Sequence, residues 1–410
     1  MVFSIERDHM KRGIQTVIVA GIIVAMVLLL SPIFARWWHG PTETPTAPPP
    51  VLTVTGQTTI AELIRQTGLE LPTLRRALQV PPSTDSAQSL GALGIAPAAA
   101  QTRLQRALAL RTQEATKNWR KIASKFLLWG IWLTGVVFLL KRRRITPRLR
   151  LRLLLLAVAV LVFGIMYGAD QSPMGTVKDT LVLWGQHHLL FPPRLIALAV
   201  FLLLVILAHK SICGWGCQFG VLQDLLFHLN RDGKSRTGIL PQVKLPFAVT
   251  NSIRILVVIV TTGLALIWGI DLIEPVNPFT IYNPTHLAIT GAVAVGVLLV
   301  ASLFMYRPWC HLACPFGLLG WLVERFSRQR IRVDYQACVG CGACARACPS
   351  MAMQAILHQE RVRPDCFACG ACVTTCPHQA ITFDNQPQMP IPDVTFAPKP
   401  AATAITPTDI

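Results

Sequence analysis

Two cysteine runs late in the chain have the spacing of ligands to an iron–sulfur cluster. Cys338, Cys341, Cys344 and Cys348 form C-x2-C-x2-C-x3-C before Pro349, and Cys366, Cys369, Cys372 and Cys376 repeat it before Pro377. The short spacing lets three thiolates of one tight loop grip one face of a cubane, while the fourth, on the next helical turn, points at the other cluster. Crosswise ligation is therefore expected. Cys338, Cys341 and Cys344 with Cys376 hold one 4Fe-4S cluster, and Cys366, Cys369 and Cys372 with Cys348 hold the second. The small residues Gly340, Gly342, Ala343, Gly370 and Ala371 let backbone N–H groups approach the sulfurs. Tetrahedral zinc is the competing use of four thiolates, but two successive runs with a trailing Cys-Pro are far more specific than a lone C-x2-C.

A second cysteine set lies upstream. Cys213-Gly-Trp-Gly-Cys217-Gln-Phe-Gly-Val-Leu and Cys310-His-Leu-Ala-Cys314-Pro-Phe-Gly-Leu-Leu share the pattern C-x3-C-x-F-G-x-L. Each follows an apolar hairpin whose outer loop carries prolines, which reads as an internal duplication of a two-helix unit. Equivalent termini of two such units face each other on one side of a membrane, so Cys213, Cys217, Cys310 and Cys314 are expected to meet at its cytoplasmic edge. They would serve as ligands of a third iron–sulfur or other soft-metal centre, or cycle as a dithiol couple. The bland alternative is that they pack as small apolar residues at helix ends.

The elements that must position these sulfurs are apolar helices. The chain has 410 residues, 52% hydrophobic and 14% charged, the composition of a polytopic membrane protein. Six spans are expected at 13–34, 122–140, 153–169, 195–208, 249–270 and 287–305, some of them short. The formal charge of +18 does not signify nucleic acid, because the basic residues cluster beside apolar segments rather than on a soluble face with interleaved aromatics. Arg7, Lys11 and Arg12, then Lys141 to Arg144 with Arg148, Arg150 and Arg152, then Lys210, Arg231, Lys234, Arg236, Lys244 and Arg307 mark one side as cytoplasmic, with both termini there. Arg254, near the inner end of its span, is expected to snorkel. All twelve cysteines follow position 212, which fits reduced thiolates on the cytoplasmic side and no disulfide framework.

The expected fold is an α-helical polytopic membrane protein with a small periplasmic helical domain and a cytoplasmic bacterial two-cluster ferredoxin-like domain. Residues 1–34 form a cytoplasmic tip and uncleaved anchor, and 35–121 a periplasmic linker, proline-rich over 41–50, followed by the helical domain. Within it, helices are expected over 58–68, 71–80 and 98–119, the first capped by Thr and ended by Gly68. Residues 122–308 hold five further spans and the first C-x3-C pair, 309–330 the second pair and a connector, 331–385 the ferredoxin-like domain, and 386–410 a Pro-, Ala- and Thr-rich disordered tail.

The paired C-x3-C motifs, the second followed by Pro315, in a helix bundle that ends in a double ferredoxin run, resemble the NapH/NosR/CcoG-type family of polyferredoxin-like membrane iron–sulfur proteins over about residues 122–385. The resemblance implies electron transfer in the bacterial inner membrane: from quinol toward periplasmic reductases, in support of nitrous oxide reductase, or in copper reduction during oxidase assembly. The chain departs from the pattern at Gln218, where Pro follows the second cysteine of the other motif. It also shows no flavin-attachment motif over 35–121, which argues against a covalent periplasmic flavin.

Among other candidates, His187 and His188 are adjacent in an expected outer loop and cannot both face one haem from a helix. His209 and His311, beside the cysteine pairs, are better placed for proton handling or metal ligation. Asp170, Asp179, Asp271 and Glu274 are read as solvated outer-loop charges. The sequence therefore points to an electron-transfer component rather than a stand-alone enzyme, with two 4Fe-4S clusters, a further metal or Fe–S centre at the C-x3-C pairs, quinone as substrate, and redox proteins as partners. Metal handling and redox sensing are the rival functions.

Overall fold

The computed structural model describes residues 2–39, 53–81, 83–115, 118–143, 149–230 and 239–391. The proline-rich stretch 41–50, residues Arg144, Arg148, Arg231, Lys234 and Arg236, most of the expected tail, and the side chains of Arg7 and Arg150 lie outside the described residues.

The apolar runs form helices because a backbone withdrawn from water must satisfy its own hydrogen bonds. Helix α1 spans Val2–His39. Helices α2 (Ile60–Thr67), α3 (Leu71–Leu78) and α4 (Pro97–Ala115) enclose a small core of their own, built on Ile60, Leu63, Leu74, Leu78 and Leu104. Thr59 caps α2 and Gly68 closes it at φ 63°, as the sequence suggests. The expected helix over 98–119 does not run on into the bundle, because Asn118 takes the amide of Lys121 at 3.1 Å and starts α5 (Trp119–Lys141) afresh.

Helix α6 (Leu149–Ala159) continues as a π-helical stretch, Val160–Met166, where the ring of Tyr282 fills the space beside Gly164. Then follow α7 (Pro173–His187), α8 (Pro192–Ala208), α9 (Gln218–Leu229), α10 (Phe247–Trp268) and α11 (Ile289–Phe304). Three segments, Lys11–Trp38, Trp119–Lys141 and Phe247–Trp268, are long and apolar enough to cross a membrane. Leu151–Met166, Pro192–Ala208 and Ile289–Phe304 are shorter apolar helices.

Hydrogen bonds across the bundle fix which helix ends meet. Trp38 Nε1 donates to the Met166 carbonyl at 2.7 Å and Asn118 Nδ2 to the Trp38 carbonyl at 3.0 Å, so the end of α1, the start of α5 and the end of α6 meet. Gln186 Nε2 donates to the Gly269 carbonyl at 2.8 Å, placing the end of α7 beside the end of α10. At the opposite end of the bundle, Arg143 binds Gln379 and Lys244 binds the Cys348 carbonyl at 3.1 Å, which seats the ferredoxin-like module there.

Two helices fall where sequence pattern predicts loops. Helix α7 is set by Ser172, whose hydroxyl accepts from the Gly175 amide at 3.0 Å, with Pro173 at its first turn. Helix α9 is buried on every side, so it has no polar face to give it a period. After α11 come α12 (Pro308–Leu312) and α13 (Pro315–Val323), then the ferredoxin-like module: β1 (Arg330–Val333), α14 (Ala343–Ala347), α15 (Ala352–Leu357), α16 (Ala371–Thr375) and β2 (Ile381–Asp384). The two strands pair antiparallel, Arg330 opposite Asp384 and Val333 opposite Ile381, and bracket both cysteine runs.

Candidate iron–sulfur site

Each cysteine run wraps a void through backbone that only small residues adopt comfortably. Gly340, Gly342 and Gly370 have φ of 68°, 67° and 76°, and Ala368, at the position equivalent to Gly340, has φ 48°. One void is lined by Cys338, Cys341, Cys344 and, from the other run, Cys376. The second is lined by Cys366, Cys369, Cys372 and Cys348. The trailing cysteine of each run thus reaches across. Four cysteine side chains lining one void are a donor set that fits a 4Fe-4S cluster.

The two voids differ in setting. Cys341 is exposed, whereas the second void is walled partly by Tyr306, a residue of the helix bundle. That wall is the meeting point of module and bundle. Trp215, fully buried between Cys213 and Cys217, donates from Nε1 to the Ala368 carbonyl at 3.1 Å. Gly214 lies so close to the Phe367 carbonyl that any Cβ would strike it. From the other side, Trp129 and Trp132 donate to the carbonyls of Gly216 and Trp215 at 3.0 and 2.9 Å.

Cys213 sits in a single π-turn, Ile212–Gly216, and Cys310 in α12, while Cys217 and Cys314 stand at the N-termini of α9 and α13. All four are buried. They lie near enough to feel one another's charge: Cys310 with Cys314, Cys217 and Cys213, and Cys314 with Cys217. Burial pushes each thiol up, Cys314 to about 12, while Lys210 opposes the shift at Cys213, and Arg307 at Cys217. The sulfurs are therefore thiols unless a metal displaces their protons. Cys217 also senses Lys125, in the first half of α5, so the motif reaches into the bundle.

The duplication extends to the supports. A Cβ on Gly220 would lie 3.1 Å from the Cys213 carbonyl, and one on Gly317 would lie 2.8 Å from the Cys310 carbonyl. Those same carbonyls accept from buried arginines, Cys213 from Arg307 and Cys310 from Arg254 at 3.2 Å. Gln218, where the second motif has Pro315, spends its side chain on the carbonyls of Gly168 and Ala169 at 3.3 and 3.2 Å, and its own carbonyl accepts from Tyr282 Oη at 2.9 Å.

Two buried carboxylates hold this assembly, and sequence reading passed over both. Asp365 binds Lys210 and, at 2.9 Å, Arg254. Asp224 binds Arg307 at 2.5 Å, Arg152 at 3.2 Å and Tyr306 Oη at 3.0 Å. Arg254 is therefore fully buried and paired, where the sequence suggested snorkelling. The usable signals were an aspartate directly before Cys366 and a lone aspartate in the apolar run 217–229. Four cations share two carboxylates, so positive charge is in excess beside the sulfurs. His209 and His311 do lie here, and burial depresses both, to about 3 and about 4, so the imidazoles are neutral at physiological pH.

His187 and His188 end α7 away from this site, His188 exposed and edge-on to Trp184. Nor are the outer carboxylates simply solvated. Lys178 gathers Asp179, Asp271 and Glu274 at 2.9, 2.5 and 2.6 Å, and Arg194 holds Asp179 at 3.2 Å.

A family model described as a 4Fe-4S dicluster domain matches residues 330–386, the two voids and their strands. A second, described as a 4Fe-4S binding domain, matches twice, over 190–236 and 287–334, each match holding one C-x3-C pair. Curated relatives agree. The putative electron transport protein YccM of Escherichia coli is 29% identical over 40% of this chain and 48% of its own length. The regulatory protein NosR of Pseudomonas aeruginosa is 30% identical over 60% of this chain and 37% of its own, and the ferredoxin-type protein NapH of Haemophilus influenzae is 26% identical over 47% and 66%. These matches make the chain similar to the NapH/NosR-type polyferredoxin-like proteins. It spans about half the length of the first curated relatives it matches, 48% of each. No solved structure matches it.

Proposed function

We propose that this NapH/NosR-type chain crosses the bacterial inner membrane six times, with both ends cytoplasmic, and carries electrons between two ferredoxin-type clusters and a membrane-side donor or acceptor, either quinone or a partner redox protein. Bound 4Fe-4S clusters would supply one-electron transfer at potentials tuned by their surroundings. Cys338, Cys341, Cys344 and Cys376 would hold the outer cluster, and Cys366, Cys369, Cys372 and Cys348 the one against the bundle. Cys213, Cys217, Cys310 and Cys314 would hold a third centre inside the bundle.

The observation that carries this reading is the contact between the Cys213–Cys217 loop and the Cys366–Cys369 loop, made by Trp215 on Ala368 and Gly214 on Phe367. That contact supports a short path between the four buried thiols and the inner cluster void. The cation excess from Lys210, Arg254, Arg307 and Arg152 favours anionic thiolate ligation over a neutral dithiol or disulfide. The repeated 4Fe-4S match over both C-x3-C pairs supports iron there rather than copper.

Iron and copper analysis of anaerobically purified protein tests the proposal. About twelve irons per chain are expected, four for each cubane, falling to about eight when all four upstream cysteines become Ser. Copper in place of the missing iron would make the chain a metal-handling protein.

A further inference from the structure

Beside the inner cluster void lies a second cavity that the electron-transfer reading does not use. It has a volume of about 440 Å³, and shares Ile331, Ile356 and Cys366 with the cluster void as a common wall. That falls within the roughly 300–1,000 Å³ of small-molecule sites.

Its wall holds two buried polar groups, His209 Nδ1 and Glu324 Oε2, which stand 3.7 Å apart on side chains each 9% exposed, both beside the Cys366 backbone. Neither makes a close hydrogen bond to another side chain, so both retain capacity for a ligand. The mouth is ringed by Arg325, Arg330, Arg361 and Arg363, none of which is paired to a carboxylate side chain among the described residues. Arg330 spends two nitrogens on the carbonyls of Ser327 and Arg325 at 2.6 Å each, and Arg363 one on the Glu360 carbonyl at 3.2 Å, so both forks are held in place. Glu360 is the one acid at the rim, against four guanidinium groups. Trp321, fixed by its Nε1 donating to the Arg363 carbonyl at 2.8 Å, gives the wall an aromatic surface.

A phosphate-bearing, ring-shaped redox molecule matches this layout: anion at the arginines, ring toward Trp321 and the two polar atoms, redox edge toward Cys366. Nicotinamide nucleotides deliver hydride, two electrons at once, which a one-electron cluster does not take. Flavins exchange electrons singly. Quinones do so too, but have no anion for four arginines to hold. We propose that the cleft binds a flavin nucleotide non-covalently, at the cytoplasmic face of the chain, in electronic contact with the cluster that Cys366 would hold. Flavin held there would be reduced to dihydroflavin in two one-electron transfers from that cluster, which the cluster of Cys338, Cys341, Cys344 and Cys376 would re-reduce between them, with two protons drawn from water through the open mouth; the reverse reaction would return both electrons and both protons. The electron supply rests on the iron–sulfur reading above, whereas the binding site does not.

The test uses the full chain, purified anaerobically in nanodiscs of phosphatidylcholine, with FMN titrated and flavin fluorescence followed. Saturable quenching is expected, weakened about tenfold or more by Arg361→Glu with Arg363→Glu, since both guanidinium groups would hold the phosphate through charge-assisted hydrogen bonds. Riboflavin, which lacks the phosphate, should bind more weakly by a similar factor. Arg111→Glu, in the small helical domain, should change nothing. Absence of saturable binding in protein whose clusters show normal electron paramagnetic resonance overturns the flavin site and leaves the electron-transfer reading standing. Binding that survives loss of the clusters supports the site by itself. Equal affinity for riboflavin overturns the arginine assignment, and displacement of FMN by a short-chain quinone with no sensitivity to the arginine changes overturns the ligand class. If the arginine changes alter only retention of phosphatidylglycerol, the cleft is a lipid headgroup site and the inference is wrong.

Discussion

Replacing Asp365 with Asn should loosen the ferredoxin-like module from the bundle without touching a sulfur ligand. Asp365 is fully buried, and its oxygens serve Lys210, donated by the loop after α8, and Arg254 of α10. Asn keeps the shape but removes the charge that both cations share, leaving them in an interior where each also has only carbonyl or amide acceptors: Gly317 for Lys210, Cys310 and Asn251 for Arg254. Breaking one partner out of a buried ion pair costs about 3–5 kcal/mol, and here two pairs lose the same member, so the upper end of that range applies. The matching control is Asp384→Asn, which breaks the pair with Arg332 at 3.3 Å on the module's own sheet, where the side chains are 13% and 29% exposed. That loss should stay near or below about 1 kcal/mol. Limited proteolysis between α13 and β1, together with the thermal midpoint of cluster bleaching, reads both. Asp365→Asn should be cut many times faster and bleach at clearly lower temperature, with Asp384→Asn close to the parent. Equal behaviour of the two variants would mean that the buried network does not dock the module.

Three further outcomes follow. Cys348→Ser should disturb the cluster of Cys366, Cys369 and Cys372 more than that of its own run, because Cys348 lines their void; paramagnetic resonance confined to loss of the Cys338 cluster would refute crosswise ligation. Reporters fused after residues 100, 146 and 385 should read outside, inside and inside, and any other order refutes six spans with cytoplasmic ends. Burial tends to lower the Lys178 pKa, but Asp179, Glu274 and Asp271 together raise it above its ordinary value. A raised cation pKa contributes stability that is fully present below the unfolded value, near 10.4, and lost as pH climbs through the folded one. The gap in melting temperature between the parent and Lys178→Gln should therefore hold constant from about pH 6 to 9; a gap that closes by pH 9 would show that the charge cluster is not what holds Lys178.

Sequence made the ferredoxin-type cysteines legible because ligand spacing is local: thirty-nine positions from Cys338 to Cys376 carry both runs, and the positive-φ glycines lie inside them. The apolar helices were legible through composition, and the duplication through its repeated C-x3-C-x-F-G. What escaped depends on long-range contact. Asp224 and Asp365 acquire their meaning from partners such as Arg307 and Lys210, 83 and 155 residues away in sequence. Helix α9 escaped because it is buried all round and so has no amphipathic period, and α7 because glycines and β-branched residues dilute its helix signal. The Arg254 error came from treating a span as if it faced lipid alone, when the module supplies a counter-ion from beyond the bundle.

The central claim is that Cys213, Cys217, Cys310 and Cys314 form one redox centre in contact with the inner cluster. The most direct measurement is anaerobic paramagnetic resonance with iron quantification on the parent and on each single Ser variant at these four positions. The account predicts that any one substitution removes the same third signal and about four irons, while both ferredoxin-type signals remain and reduce with dithionite. A parent with only about eight irons and four variants indistinguishable from it would contradict the account, leaving the upstream cysteines as packing residues.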